Sequence, residues 1–147
     1  AIEGLPEFLA TISQEYTKRI LPDFLPEGTK VAFRVWAVSQ WAGDFNPIHI
    51  HDSNLSGVCF LKIPPKFEEE YAKEDHHPTA GCLEFIGSVP NHFARHSFLA
   101  KPEVGDFYIF PSWLTHQVYP FRSEGERRSM AFNVHFTAET PVKGLNV

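Results

Sequence analysis

A mainly-β domain of two packed sheets, a jelly roll with one leading helix, is the fold class this sequence predicts. Three observations predict it. Apolar residues recur at helical spacing only near the start of the chain, they alternate in short runs beyond residue 30, and twelve Pro and nine Gly punctuate those runs without forming low-complexity tracts. Many short strands closed by turn residues, behind a single amphipathic helix, belong to sandwich and barrel architectures, of which the double-sheet jelly roll is the natural candidate. At 147 residues (1–147) the chain is one domain by length and long enough to bury a sizeable core.

The elements follow in order. Leu5, Phe8, Leu9, Ile12, Tyr16 and Ile20 recur at steps of three and four, with Pro6 suited to a first turn and Pro22 and Pro26 ending the run, which predicts a helix over 5–21. Val31, Phe33 and Val35 alternate with Ala32, Arg34 and Trp36, so 30–38 reads as a strand, and its apolar residues on both faces predict that it is sandwiched. Turn material at 41–47 leads into Ile48-His49-Ile50-His51, and Asp52-Ser53-Asn54 turns the chain into a strand from Ser56 to Ile63, ended by Pro64-Pro65. The charged stretch 66–80 reads as a surface insertion holding at most one short helix, and its His76 and His77 as solvated loop residues. Strand character resumes at 81–86. No firm assignment emerges for 91–99, and further strands follow at 106–110, 115–121 and 127–136.

Composition bounds the function. A net charge of −5 with scattered Lys and Arg argues against a nucleic-acid footprint, for a tight basic pair such as Arg127-Arg128 is not a patch. No apolar run approaches the length of a membrane span and no charged-then-apolar leader opens the chain, so a soluble, cytoplasmic protein with no membrane partner is expected. Cys59 and Cys82 both lie in apolar runs and read as buried free thiols. Oligomeric state stays open.

Chemistry concentrates in three places. If the His49-x-His51 pair lies on a strand, period-two alternation brings both imidazoles to one face, the start of a transition-metal site. A third imidazole, His116, begins a strand after the turn Pro111-Ser112-Trp113-Leu114-Thr115. On the last strand Arg127, Ser129 and Ala131 alternate on one face, with Arg128 and Met130 on the other. Taken singly, each has an ordinary explanation: two hydrogen-bonded histidines, a strand-end residue, a surface charge. His135, near the end of the last strand, is a weaker candidate still.

Together these motifs resemble known families. Gly43-x5-His49-x-His51 followed by Gly105-x5-Pro111-x4-His116 matches much of the paired cupin signature, but Leu55 and Ser56 stand where a cupin glutamate belongs, and Pro120 stands where its second motif ends in Asn. The closer resemblance is to the small Fe(II)/2-oxoglutarate-dependent oxygenases, which are prolyl-hydroxylase-like and share the cupin-related double-stranded β-helix. It is carried, in order, by His49-Ile50-His51, Ser56-Gly57-Val58-Cys59-Phe60-Leu61, Gly81-Cys82-Leu83-Glu84-Phe85, Phe110-Pro111-Ser112-Trp113-Leu114-Thr115-His116 and Arg127-Arg128-Ser129-Met130-Ala131-Phe132-Asn133, over residues 43–135.

The resemblance implies a dioxygenase that couples oxidative decarboxylation of 2-oxoglutarate by O₂, giving succinate and CO₂, to hydroxylation of a C–H bond in a peptidyl residue or small molecule. It implies Fe(II) held by His49, His116 and a third ligand, and a distal cosubstrate carboxylate held by Arg127, with Ser129 adding a hydrogen bond. An arginine suits that task because its planar fork matches a carboxylate and keeps its proton. Family members place an acid at the third position, where this chain has His51. Asp52 is the alternative if a bulge turns it inward, and a water-completed two-histidine site is the third option. Phe60 stands where a tyrosine often helps to hold the cosubstrate. Trp113, beside His116, is expected to line a substrate entrance, and the loops 64–80 and 87–103 to frame the mouth. Two other readings stay open: a cupin-type three-histidine metalloenzyme, and a non-catalytic jelly-roll binding module.

Overall fold

The computed structural model describes residues 3–73, 78–87 and 95–137. Within them the chain runs α1 (Leu5–Ile20), β1 (Lys30–Gln40), β2 (Asn46–His49), β3 (Leu55–Lys62), α2 (Phe67–Tyr71), β4 (Leu83–Ile86), β5 (Ser97–Ala100), β6 (Phe107–Pro111), β7 (Thr115–Val118) and β8 (Arg127–Thr137). The strands form two four-stranded antiparallel sheets, ordered β1-β8-β3-β6 and β2-β7-β4-β5, which is the jelly roll expected.

Alternation divides the apolar residues between two layers. From β3, β6, β4 and β7 the side chains of Phe60, Phe110, Leu83, Phe85 and Val118 point between the sheets and make the inner core. From the opposite face of the first sheet Leu55, Phe132 and Val134 meet Leu9 of α1. Helix α1 forms where Pro6 supplies a ready first turn, and Glu7 at its start with Lys18 and Arg19 at its end complement the helix dipole. Gly57 makes the tight β3–β8 contact feasible. A Cβ there would lie 2.1 Å from the Phe132 ring and 2.7 Å from the Tyr108 carbonyl oxygen.

Three expectations need revision. Strand β1 is an edge strand bonded to β8 alone, and it is not sandwiched along its length. Its first half turns Val31 and Phe33 toward α1 and its second half turns Trp36 and Val38 inward, so each face is covered only where a partner lies over it. The strand also continues two residues further than expected, to Gln40. Second, Ser97–Ala100 is a strand, β5, paired with β4. Third, 66–80 is more than a surface insertion: Phe67 of α2 is fully buried against Ala80 and Phe121 and pins the segment to the core. His76, His77 and His92 lie outside the described residues. Neither Cys59 nor Cys82 is in a disulfide; Cys82 is buried as expected, whereas Cys59 is only half-buried. Among the described residues no helix is long and apolar enough to cross a membrane.

Candidate metal centre

His49 and His116 are Cα partners across β2 and β7. Between Asn46 and His49 the register shifts, three steps along β2 against two along β7, and this bulge lets both Asn46 and His49 face the cavity between the sheets. The strand ends at His49, so His51 is not placed by regular alternation as expected. Its backbone N–H donates instead to the carbonyl of Ser112 at 3.0 Å. That turn is itself fixed from within: the Ser112 hydroxyl lies 2.9 Å from the Ser56 hydroxyl, which donates to Asn133 Oδ1 at 2.9 Å.

The three imidazoles offer ligand nitrogens that all lie within 4.8 Å of one another. His49 Nδ1 donates to the Pro47 carbonyl at 2.6 Å and His116 Nδ1 to the Leu114 carbonyl at 2.9 Å. A carbonyl can only accept, so each Nδ1 carries a proton, and in the neutral ring it is Nε2 that presents the lone pair. His51 Nε2 lies 3.2 Å from His116 Nε2. Imidazole nitrogens bound at about 2.1 Å to one ion stand roughly 3.0–3.4 Å apart at right or tetrahedral angles, so this spacing suits a shared ion. Burial pushes the pKa of His116 down to about 4, an effect the nearby His49 and His51 reinforce, while its bond to Leu114 opposes it; burial and His49 lower that of His51. Both are therefore neutral at neutral pH, the form that binds metal.

Arg127 lies 2% exposed at the start of β8, on the same face as Ser129, and both line the cavity with the three histidines. Its guanidinium sits 4.9 Å from the centroid of the Phe60 ring, and Nη1 donates to Gln40 Oε1 at 2.6 Å. No carboxylate pairs with it among the described residues, and its Nε has no hydrogen-bond partner there. A buried donor left unpaired costs about 1–3 kcal/mol, more when charged. Burial lowers the Arg127 pKa to about 10, with Cys82 pulling weakly the other way, so the group keeps its charge at neutral pH. Arg128 faces outward as expected, and it is paired with Glu126 at 2.8 Å.

The sequence-derived residues divide accordingly. His49, His51, His116, Arg127 and Ser129 meet around one cavity of about 170 Å³. Asp52 is exposed and outside the histidine cluster, so no bulge turns it inward. Trp113 is 70% exposed and does not line the cavity; the indole that does is Trp36, whose ring centroid lies 6.3 Å from that of His51. His135 is exposed at the far end of β8. None of the described residues of 64–80 or 87–103 lines the cavity, whose wall is made from strand residues and from His51 just beyond β2. Asn46 and Gln40 were not foreseen: the first depends on the bulge, and the second is recognisable only once the β1–β8 register puts it opposite Arg127.

The sequence model of a family described as "Putative 2OG-Fe(II) oxygenase" matches residues 34–133. The chain belongs to this 2OG-Fe(II) oxygenase family. Two solved structures carry the same fold. One is a prolyl-4-hydroxylase from Pseudomonas putida (TM-score 0.56, 19% identity, covering 92% of this chain and 68% of that one). The other is an oxidoreductase of the 2OG-Fe(II) oxygenase family from Burkholderia pseudomallei (TM-score 0.55, 15% identity, 88% and 56%). At such identities the likeness shows the double-stranded β-helix alone, and this chain spans little more than half the length of the second. No curated protein matches the chain by sequence. The matched region contains the three histidines, Arg127 and Ser129.

The donor set suits the metal and cosubstrate that the family implies. Two Nε2 lone pairs are fixed by their own backbone bonds, the third imidazole is near enough to share an ion, and the cavity holds an unneutralised buried cation. With three neutral ligands the ion would keep its full charge, and imidazole also suits Zn, Cu and Ni.

Proposed function

We propose that this chain is a non-haem Fe(II)- and 2-oxoglutarate-dependent dioxygenase that hydroxylates a C–H bond of a peptidyl residue or a small molecule. The observation that carries the proposal is the joining, in one cavity, of three converging imidazoles and a buried arginine without an acid partner. His49, His51 and His116 hold the metal. Arg127 binds the distal carboxylate of 2-oxoglutarate with two charge-assisted hydrogen bonds, and the Ser129 hydroxyl donates a third. When bound, Fe(II) supplies the chemistry by which one O₂ converts 2-oxoglutarate and R–H to succinate, CO₂ and R–OH.

The protein's own part is positional. Pro47 and Leu114 set the tautomers of His49 and His116, and Ser112 anchors the backbone of His51. The apolar walls, Val118, Phe110 and Leu83, keep water from the reacting centre. Arg127 would hold the cosubstrate by its distal carboxylate and leave the 2-oxo acid end for the metal. The test is direct: under anaerobic conditions Fe(II) and 2-oxoglutarate together should give a weak visible charge-transfer band. No band, and no succinate formed with any of a panel of peptides and small acids, would sink the proposal.

A further inference from the structure

The residue opposite the buried arginine is an amide where an acid would be ordinary. Gln40 is the Cα partner of Arg127 on β1, is 4% exposed, and accepts a 2.6 Å hydrogen bond from Arg127 Nη1 through Oε1. Buried arginines are usually balanced by a carboxylate. One residue along β8 even the exposed, outward-facing Arg128 has an acid beside it, Glu126 at 2.8 Å. At Arg127 an acid is withheld. No acidic side chain lines the cavity among the described residues, and Arg127 Nε on its wall has no acceptor there; the buried Gln40 Nε2, outside the lining, has none either. A site with a fixed cation, spare donors and no counter-charge is built for an anion that comes from outside.

We infer that Gln40 is a positioning residue that sets selectivity for dicarboxylic 2-oxo acids: its amide oxygen orients the Arg127 guanidinium without neutralising it. A neutral acceptor occupies one N–H of the fork and leaves the charge for the ligand. A glutamate of the same length would close an internal ion pair, take up the fork and repel the incoming carboxylate. The inference rests on the role given to Arg127 above.

The experiment compares 2-oxoglutarate with 2-oxobutanoate, which shares the 2-oxo acid end but has no distal carboxylate, by calorimetric titration of the anaerobic Fe(II)-loaded protein. The wild-type chain should prefer 2-oxoglutarate by at least about 30-fold, the worth of a charged hydrogen-bonded pair. Gln40→Glu should reduce that preference to near unity, while 2-oxobutanoate affinity and metal content hold and the thermal midpoint does not fall. A Glu variant that keeps the preference overturns the inference. A wild-type chain with no preference overturns instead the assignment of Arg127, a separate failure. Should the Glu variant not fold, Gln40→Met decides: loss of the acceptor with the charge kept should lower the preference by roughly 3–10-fold through a loosened guanidinium, and an unchanged preference again overturns the inference.

Discussion

At the scale of single residues, the site is governed by which charges are absent. Arg127 has no acid partner among the described residues, so removing it should leave the metal untouched and affect only the cosubstrate. Arg127→Ala is expected to bind Fe(II) as the parent does and to lose 2-oxoglutarate affinity by two orders of magnitude or so, measured by the charge-transfer band. An unchanged 2-oxo acid requirement would favour a cupin-type three-histidine enzyme. His51 and Asp52 separate as cleanly: Asp52→Ala should leave metal content intact, because that carboxylate is exposed, whereas His51→Ala should lower metal affinity at least tenfold, read by competition with a chelator. Acidity acts on the same histidines. His116 titrates near 4 in the folded chain against an ordinary 6.5, so below pH 6.5 the unfolded chain takes up a proton that the folded one refuses. The metal-free protein should therefore hold its stability above pH 6.5 and lose up to about 3 kcal/mol between 6.5 and 4, with His51 adding in the same sense. Urea midpoints across that range check it, and His116→Gln should flatten the slope. These residues were legible in the sequence because motifs carry their chemistry. Gln40 was not, because only a register gives it meaning.

Elements decide where those residues stand. The bulge in β2 and the Ser112 carbonyl together do what a regular strand was expected to do, and neither has a sequence signal, since both depend on the partner chain segment across the sheet. Helix α1 was legible from its periodicity and its prolines. Strand β5 was not, for Ser97-Phe98-Leu99-Ala100 is too short to show alternation and sits on an edge of its sheet. The long strands gave the opposite case: 127–136 alternates through enough residues that its two faces could be assigned before the sheet was known. Gly57 marks how closely β3 and β8 pack under α1. Gly57→Ala would drive a methyl group to 2.1 Å from the Phe132 ring, and the ring cannot retreat without disturbing Leu9 and Val134. A loss of about 1–3 kcal/mol is expected, seen as a lower urea midpoint with the same slope.

For the molecule as a whole, the division of labour between two layers explains why fold class was readable and substrate was not. Inner and outer apolar faces follow from alternation, which is local. The cavity wall comes from strands of both sheets, so its shape is a product of packing and leaves no contiguous trace. Metal should stabilise this arrangement by binding the folded chain alone: at a hundred times Kd, about 2.7 kcal/mol and a thermal midpoint several degrees higher, reversed by chelator. The sequence distance between His51 and His116, 65 residues, then acquires a second meaning. A chain with only its first half in place can offer the ion no more than His49 and His51, a weak two-point hold. The third nitrogen comes only with β7, whose pairing with β2 sets His116 opposite His49. Strong capture is therefore withheld from chains in which β2 and β7 have not yet paired, and the ion becomes a proofreader of that pairing.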